Sequence, residues 1–131
     1  MKKTVIVAIV VISVVFACKK EPGPGGNASI LGNVNVRDYN SSFSTLISTY
    51  KGSDEYVYLI YGNNISYGQR IKTNYDGAFE FKYLRTGKYM VYVYSKDSTL
   101  KAPNGKVTVL KEVEIHHKNE KYDVGTLTIF K

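Results

Sequence analysis

Hydrophobic and polar residues alternate with a period of two along most of this chain. Ile30, Val34 and Val36 share one side of their segment. Val57, Leu59 and Tyr61 alternate with Tyr56, Tyr58 and Ile60. Ile71, Thr73 and Tyr75 form a third set, and Phe79, Phe81 and Tyr83 a fourth. Tyr89, Val91 and Val93 alternate with Met90, Tyr92 and Tyr94. Val107 and Val109 open a sixth run, which Val113 and Ile115 continue after a slip of phase at Leu110-Lys111. Val124, Leu127 and Ile129 close the chain, and Gly125 marks a bulge. Successive side chains of a strand point to opposite faces, so this period predicts strands rather than helices. Turn residues separate the runs at Gly62-Asn63-Asn64, Asp76-Gly77, Arg85-Thr86-Gly87, Pro103-Asn104-Gly105 and Lys118-Asn119-Glu120, and Asp76-Gly77 is a strong hairpin signal. Seven short strands so spaced predict an all-β, antiparallel Greek-key sandwich over residues 29–131. Asn40–Thr49 is rich in Ser and Thr and reads as a long loop.

The beginning of the chain follows another pattern. Met1-Lys2-Lys3 is basic, and Thr4–Ala17 is apolar, uncharged and too short to span a bilayer comfortably. A basic start, a short apolar core and a small residue at a boundary describe a secretory signal peptide over residues 1–17. Val15-Phe16-Ala17-Cys18 resembles the lipobox of bacterial lipoproteins, with bulky Phe16 as a departure from the commonest residue there. The resemblance implies cleavage before Cys18, acylation of that cysteine and a cell-envelope location. Two or more acyl chains anchor a protein stably where one does not. Lys19 after the cysteine implies the outer membrane by the enterobacterial sorting rule. Residues 18–28 alternate Pro and Gly and read as a flexible tether.

Within the domain a second family resemblance is carried by three elements. They are Ile30-x-Gly32-x-Val34, Asp76-Gly77-Ala78-Phe79-Glu80-Phe81, and Leu84-x-x-Gly87-x-Tyr89-x-Val91-x-Val93. Together they resemble the carboxypeptidase regulatory-like domain, a transthyretin-like (prealbumin-like) sandwich often found on exported bacterial proteins, sometimes as a small standalone lipoprotein of the Bacteroidetes type. The resemblance implies an accessory or adhesive module. Its elements are folding signatures, so function must be sought in particular side chains.

Composition narrows the chemistry. The 131 residues include 18 Lys and Arg against 11 acidic residues, for a formal charge of +7. The lysines are spread without a stripe, which argues against nucleic acid and leaves anionic lipid or polysaccharide as the natural acidic partners. One cysteine and two histidines are too few for a multi-cysteine zinc site. Adjacent His116 and His117 point to opposite faces of a strand and cannot readily share a metal. Asp38, Asp54, Glu55 and Asp76 are scattered, and neither a Gly-x-Ser-x-Gly elbow nor a Walker loop occurs. No catalytic set, metal or cofactor is therefore expected. The chain carries 12 tyrosines and no tryptophan. Tyr56 and Tyr58 share one strand face and Tyr92 and Tyr94 another, which predicts an aromatic contact face for an envelope protein or, alternatively, a glycan. The competing expectation is that the Asn40–Thr49 loop covers these rings. Asp97-Ser98-Thr99 resembles a three-residue O-glycosylation motif of Bacteroidetes, with Ser98 as the acceptor.

The anchor expectation is directly testable. The full chain made in a Bacteroidetes host should fractionate with membranes and take up labelled palmitate. The Cys18→Ser chain should do neither and should keep its signal segment. A Cys18→Ser chain that is still cut and equally membrane-bound removes the lipoprotein reading.

Overall fold

The computed structural model describes residues 21–131; Cys18 and the export segment lie outside them. The strands are β1 (Pro24–Tyr39), β2 (Leu46–Lys51), β3 (Tyr56–Tyr61), β4 (Gln69–Lys72), β5 (Ala78–Leu84), β6 (Gly87–Lys96), β7 (Lys106–Ile115) and β8 (Lys121–Phe130). They form two four-stranded sheets packed as a sandwich, with no helix among the described residues. One sheet has the order β4-β3-β6-β7 and is wholly antiparallel. The other is built on β1, which pairs with β2 and β5 antiparallel and with β8 parallel. β3 and β6 are neighbours although β4 and β5 intervene in the chain, so sheet order departs from chain order as a Greek-key sandwich requires.

The core lies between the sheets and is filled by the predicted inward residues. Ile30, Phe81, Leu59, Tyr89, Val91 and Leu127 are almost fully buried. Full burial of such side chains contributes roughly 1.5–3 kcal/mol each. Phe79 and Phe81 meet edge to face at 6.0 Å between ring centroids. Tyr83, expected inside with them, is 69% exposed. Its positive φ of 60° turns the end of β5 outward and brings Leu84 into the core in its place.

Four expectations need correction. First, there are eight strands rather than seven, because β2 occupies the second half of the segment read as a loop. All six β2 residues are exposed, so no alternation marked it. Second, strand pairing begins at Pro24 and not at Ser29. Ala28 is fully buried, and the buried Tyr89 hydroxyl accepts from Gly23 N at 2.9 Å and donates to Arg85 O at 2.7 Å. The Pro/Gly stretch is thus sewn to the domain. Third, β7 runs without a phase slip, pairing residue for residue with β6 from Gly87↔Ile115 to Lys96↔Lys106. Leu110 lies on the outward phase, and Lys111 keeps the inward one. Fourth, Asp76-Gly77 does not close a hairpin within one sheet. The turn from Asn74 to Ala78 carries the chain from β4 across to β5 in the other sheet. The bulge expected at Gly125 is present: its φ is +80°, and the β1–β8 register gains one residue there.

β1 changes partner midway along one edge. Val34 N donates to Gly77 O at 2.7 Å, and Val34 O accepts from Gly52 N at 2.8 Å. A residue's N–H and C=O point to the same side of a strand, so β5 and β2 lie end to end on that edge. Both meeting residues are glycine for lack of space. A Cβ on Gly77 would sit 2.5 Å from Val34 O, and one on Gly52 would sit 2.7 Å from Val34 Cγ1. Gly77 also has a φ of +77°. Buried Thr73 braces the junction: its hydroxyl donates to Gly52 O and accepts from Glu55 N.

Gly77→Ala should therefore destabilise the domain by about 2 kcal/mol or more, since left-handed strain and a backbone clash coincide. Chemical denaturation of both chains checks this, and an unchanged midpoint would show that the junction relaxes freely.

Candidate binding face

The register of the β4-β3-β6-β7 sheet decides which side chains share its outer face. Tyr58 lies opposite Tyr92 on β6 and opposite Arg70 on β4. Tyr56 lies opposite Lys72, and Tyr92 opposite Leu110 on β7. The inward neighbours Val57, Leu59, Val91 and Val93 are buried, so the tyrosines face away from the core. The face thus runs from a basic strip on β4 through tyrosines on β3 and β6 to Leu110 and Glu112 on β7.

Four tyrosines named from sequence come together here, and a fifth joins them. Tyr58 and Tyr92 stack with ring centroids 4.8 Å apart and planes 7° apart. Tyr94 stands edge to face against both, at 5.4 Å from Tyr58 and 5.7 Å from Tyr92. Tyr67, from the β3–β4 connection, packs on Tyr58 at 5.0 Å and 65°. Aromatic pairs favour these offset and crosswise geometries because ring edges are positive and faces negative. Burial, together with the neighbouring tyrosines led by Tyr94, holds the Tyr92 hydroxyl above the ordinary phenol pKa. The stacked pair is the spine of the cluster, and free aromatic area is carried by Tyr67 at 43% and Tyr94 at 47% exposure.

Tyr56 sits apart from the spine, 6.4 Å from Tyr58. Its ring carries the Arg70 guanidinium at 4.6 Å and the Lys72 ammonium at 5.1 Å. It therefore supports cations while the residue stays 40% exposed. The covering loop anticipated for these rings is elsewhere: the segment after Asn40 folds back as β2 on the opposite sheet. Tyr67 escaped sequence reading because it lies in an irregular connection, where no period assigns a face. Beyond Met90 the face continues into a cleft of about 520 Å³ lined by Asn63, Lys88, Glu112, Glu114 and His116 among others.

The other candidates are dispersed. Cys18 lies outside the described residues. His116 and His117 are exposed, and their backbone N–H groups both donate to Glu120 Oε1, which shapes the β7–β8 turn. Asp76 faces Lys51 at 3.8 Å, and Glu55 pairs with Lys131. Among the described residues no three His, Cys, Asp or Glu side chains gather as a metal site would need. Ser98 is exposed in the β6–β7 connection. Its neighbour Asp97 is a structural brace. The Asp97 carboxylate accepts from Thr99 N at 2.9 Å, Thr99 Oγ1 at 2.6 Å, Lys101 N at 3.0 Å and Ala102 N at 2.7 Å. These bonds, the Thr99 hydroxyl first, lower its pKa to about 2.

No family model matches the chain, and no curated protein sequence does. Solved structures resemble it in fold, two of them as follows. One is PA1324 of Pseudomonas aeruginosa, described as a "putative carbohydrate binding protein". It is 14% identical, with a TM-score of 0.47, over 83% of this chain and 91% of that one. The other is an (S)-allantoin synthase, 8% identical with a TM-score of 0.38. That likeness covers 80% of this chain and 43% of the synthase.

The Asp97 brace makes a pH prediction. A depressed carboxylate pKa contributes stability that is present above the unfolded value, near 4, and is lost as pH falls through about 2. The melting temperature of Asp97→Asn should lie below that of the parent at neutral pH. The gap should narrow between pH 4 and pH 2, and a gap independent of pH would mean that the charge contributes nothing.

Proposed function

We propose that this chain is a non-enzymatic, carbohydrate-binding β-sandwich, held on the envelope membrane through acylated Cys18, that takes glycan on the outer face of the β4-β3-β6-β7 sheet. The observation that carries this reading is the five-tyrosine cluster. A sugar ring presents C–H groups on its faces and hydroxyls around its rim. Exposed tyrosines offer apolar ring area for the first and phenol hydroxyls for the second. The stacked Tyr58–Tyr92 pair holds Tyr67 and Tyr94 in place, so little side-chain freedom is lost on binding. The reading rests on this face and not on the fold likenesses.

A protein partner is the second reading, favoured by the edge of the same sheet. β7 ends the strand order, spans ten residues and leaves Val107 and Leu110 exposed. An unpaired edge of that length can accept a strand from another chain.

The two readings separate by mutation. Tyr67→Ala with Tyr94→Ala should weaken binding of the full chain to envelope polysaccharide by about tenfold or more. Both residues are exposed, so the melting temperature should change little. If the double variant retains every glycan contact while a lysine or proline placed in β7 releases a protein partner, the adaptor reading replaces the glycan one.

A further inference from the structure

We infer that the glycan taken by this face is an acidic one, and that Arg70, held over the Tyr56 ring, is the receptor for a uronate carboxylate. This inference rests on the glycan reading and adds the ligand's charge to it.

Arg70 and Lys72 both lie on β4 and face the tyrosine side, opposite Tyr58 and Tyr56 respectively. Both are exposed, and among the described residues neither has a carboxylate within salt-bridge distance. The guanidinium of Arg70 lies 4.6 Å from the Tyr56 ring centroid, and Lys72 Nζ lies 5.1 Å from the same point. Two cations near one ring repel each other, so an anion within reach of both is favoured beyond its contact with either alone. A guanidinium held over a ring by its charge spends none of its N–H groups on that contact. Those groups form a fork that matches the two oxygens of a carboxylate. Tyr56 therefore acts as a positioning residue, fixing a long side chain that would otherwise lose rotamer freedom on binding.

The placement is what makes this a sugar site rather than a generic anion site. Tyr56 is next to Tyr58 at 6.4 Å, and Tyr58 touches Tyr67, Tyr92 and Tyr94. A pyranose over the exposed rings has its ring substituents within a residue or so of the cation pair. On the far side the cleft carries Glu112 and Glu114 against the single Lys88, so a polyanion is favoured at β4 over the β7 side. This polarity places the carboxylate-bearing residue on the β3–β4 side.

The test uses the full-length chain in detergent and three polymers of matched length. They are polygalacturonate, the same polymer with its carboxylates reduced to alcohols, and polyglutamate. The parent chain should bind polygalacturonate about tenfold more tightly than either of the others. Arg70→Gln with Lys72→Gln should bring polygalacturonate down to the level of the reduced polymer. Tyr56→Leu should do the same in part, whereas Tyr56→Phe, which keeps the ring, should restore the preference. In each of these variants except Tyr56→Phe, the loss of affinity should be larger for polygalacturonate than for the reduced polymer. Equal affinity for the native and reduced polymers would overturn the acidic preference and leave the glycan reading intact. Equal affinity for polyglutamate would overturn it as well, by showing attraction to any polyanion. Binding of none of the three to the parent chain would overturn both.

Discussion

Everything in this sandwich hangs on one strand that must satisfy two edges. β1 is sixteen residues long. β8 covers one edge, and β5 and then β2 cover the other. Buried backbone donors and acceptors have to be paired, so the place where β5 hands over to β2 cannot be left open. Val34 closes it by bonding to both Gly77 and Gly52. Two strand ends can approach a third strand that closely only where neither carries a Cβ. The Asn74 side chain completes the arrangement, since its Oδ1 accepts from Asp76 N at 3.0 Å and Ala78 N at 2.9 Å. The Asp-Gly pair is therefore a device for changing sheets, and its glycine is needed twice, for φ and for space.

That arrangement also sets what each sheet shows to solvent. β2 and β8 complete the sheet around β1, so the segment after Asn40 lies away from the outer face of the other sheet. Tyr56, Tyr67 and Tyr94 are consequently exposed, and Tyr58 and Tyr92 are half-buried among them. They are ordered by one another: a stacked pair across the β3–β6 register, with crosswise rings around it. At the opposite pole of the chain, Tyr89 ties Gly23 to Arg85 through its buried hydroxyl. Burial, only partly offset by the Gly23 bond, raises that hydroxyl's pKa, in keeping with a phenol that stays neutral and bonded. The segment leading in from Cys18 is thus held by the domain from Gly23 onward and is not a free leash up to Ser29.

The limits of sequence reading follow from where the signal lives. Val57, Leu59, Phe79, Phe81, Tyr89, Val91 and Val93 were legible because each sits on a strand with one buried and one open face, where period two is enforced by the core. β2 was not legible because both of its faces are open, so burial imposes no pattern on Leu46–Lys51. The inserted Tyr83, at positive φ, broke the alternation that β5 otherwise follows. The Pro/Gly stretch before Ser29 looked like a tether because composition reports flexibility in isolation and says nothing of a partner strand. Tyr67 has no period to place it. Tyr56 could be placed beside Tyr58 from the alternation alone, but only the β3–β4 register puts Arg70 and Lys72 on its ring.

By itself the sequence determined the class of fold and its inward residues, because alternation records which face a strand buries. It also determined the pairs of tyrosines on single strands, because residues two apart on one strand must point the same way. Only the tertiary structure decided which strands are neighbours, and with that everything depending on distance between strands. The Tyr58–Tyr92 stack, the entry of Tyr67, the glycine junction at Val34 and the cation pair on Tyr56 all join residues far apart in the chain. Such contacts are set by the register between strands, and a one-residue shift of register would turn every one of these side chains to the other face.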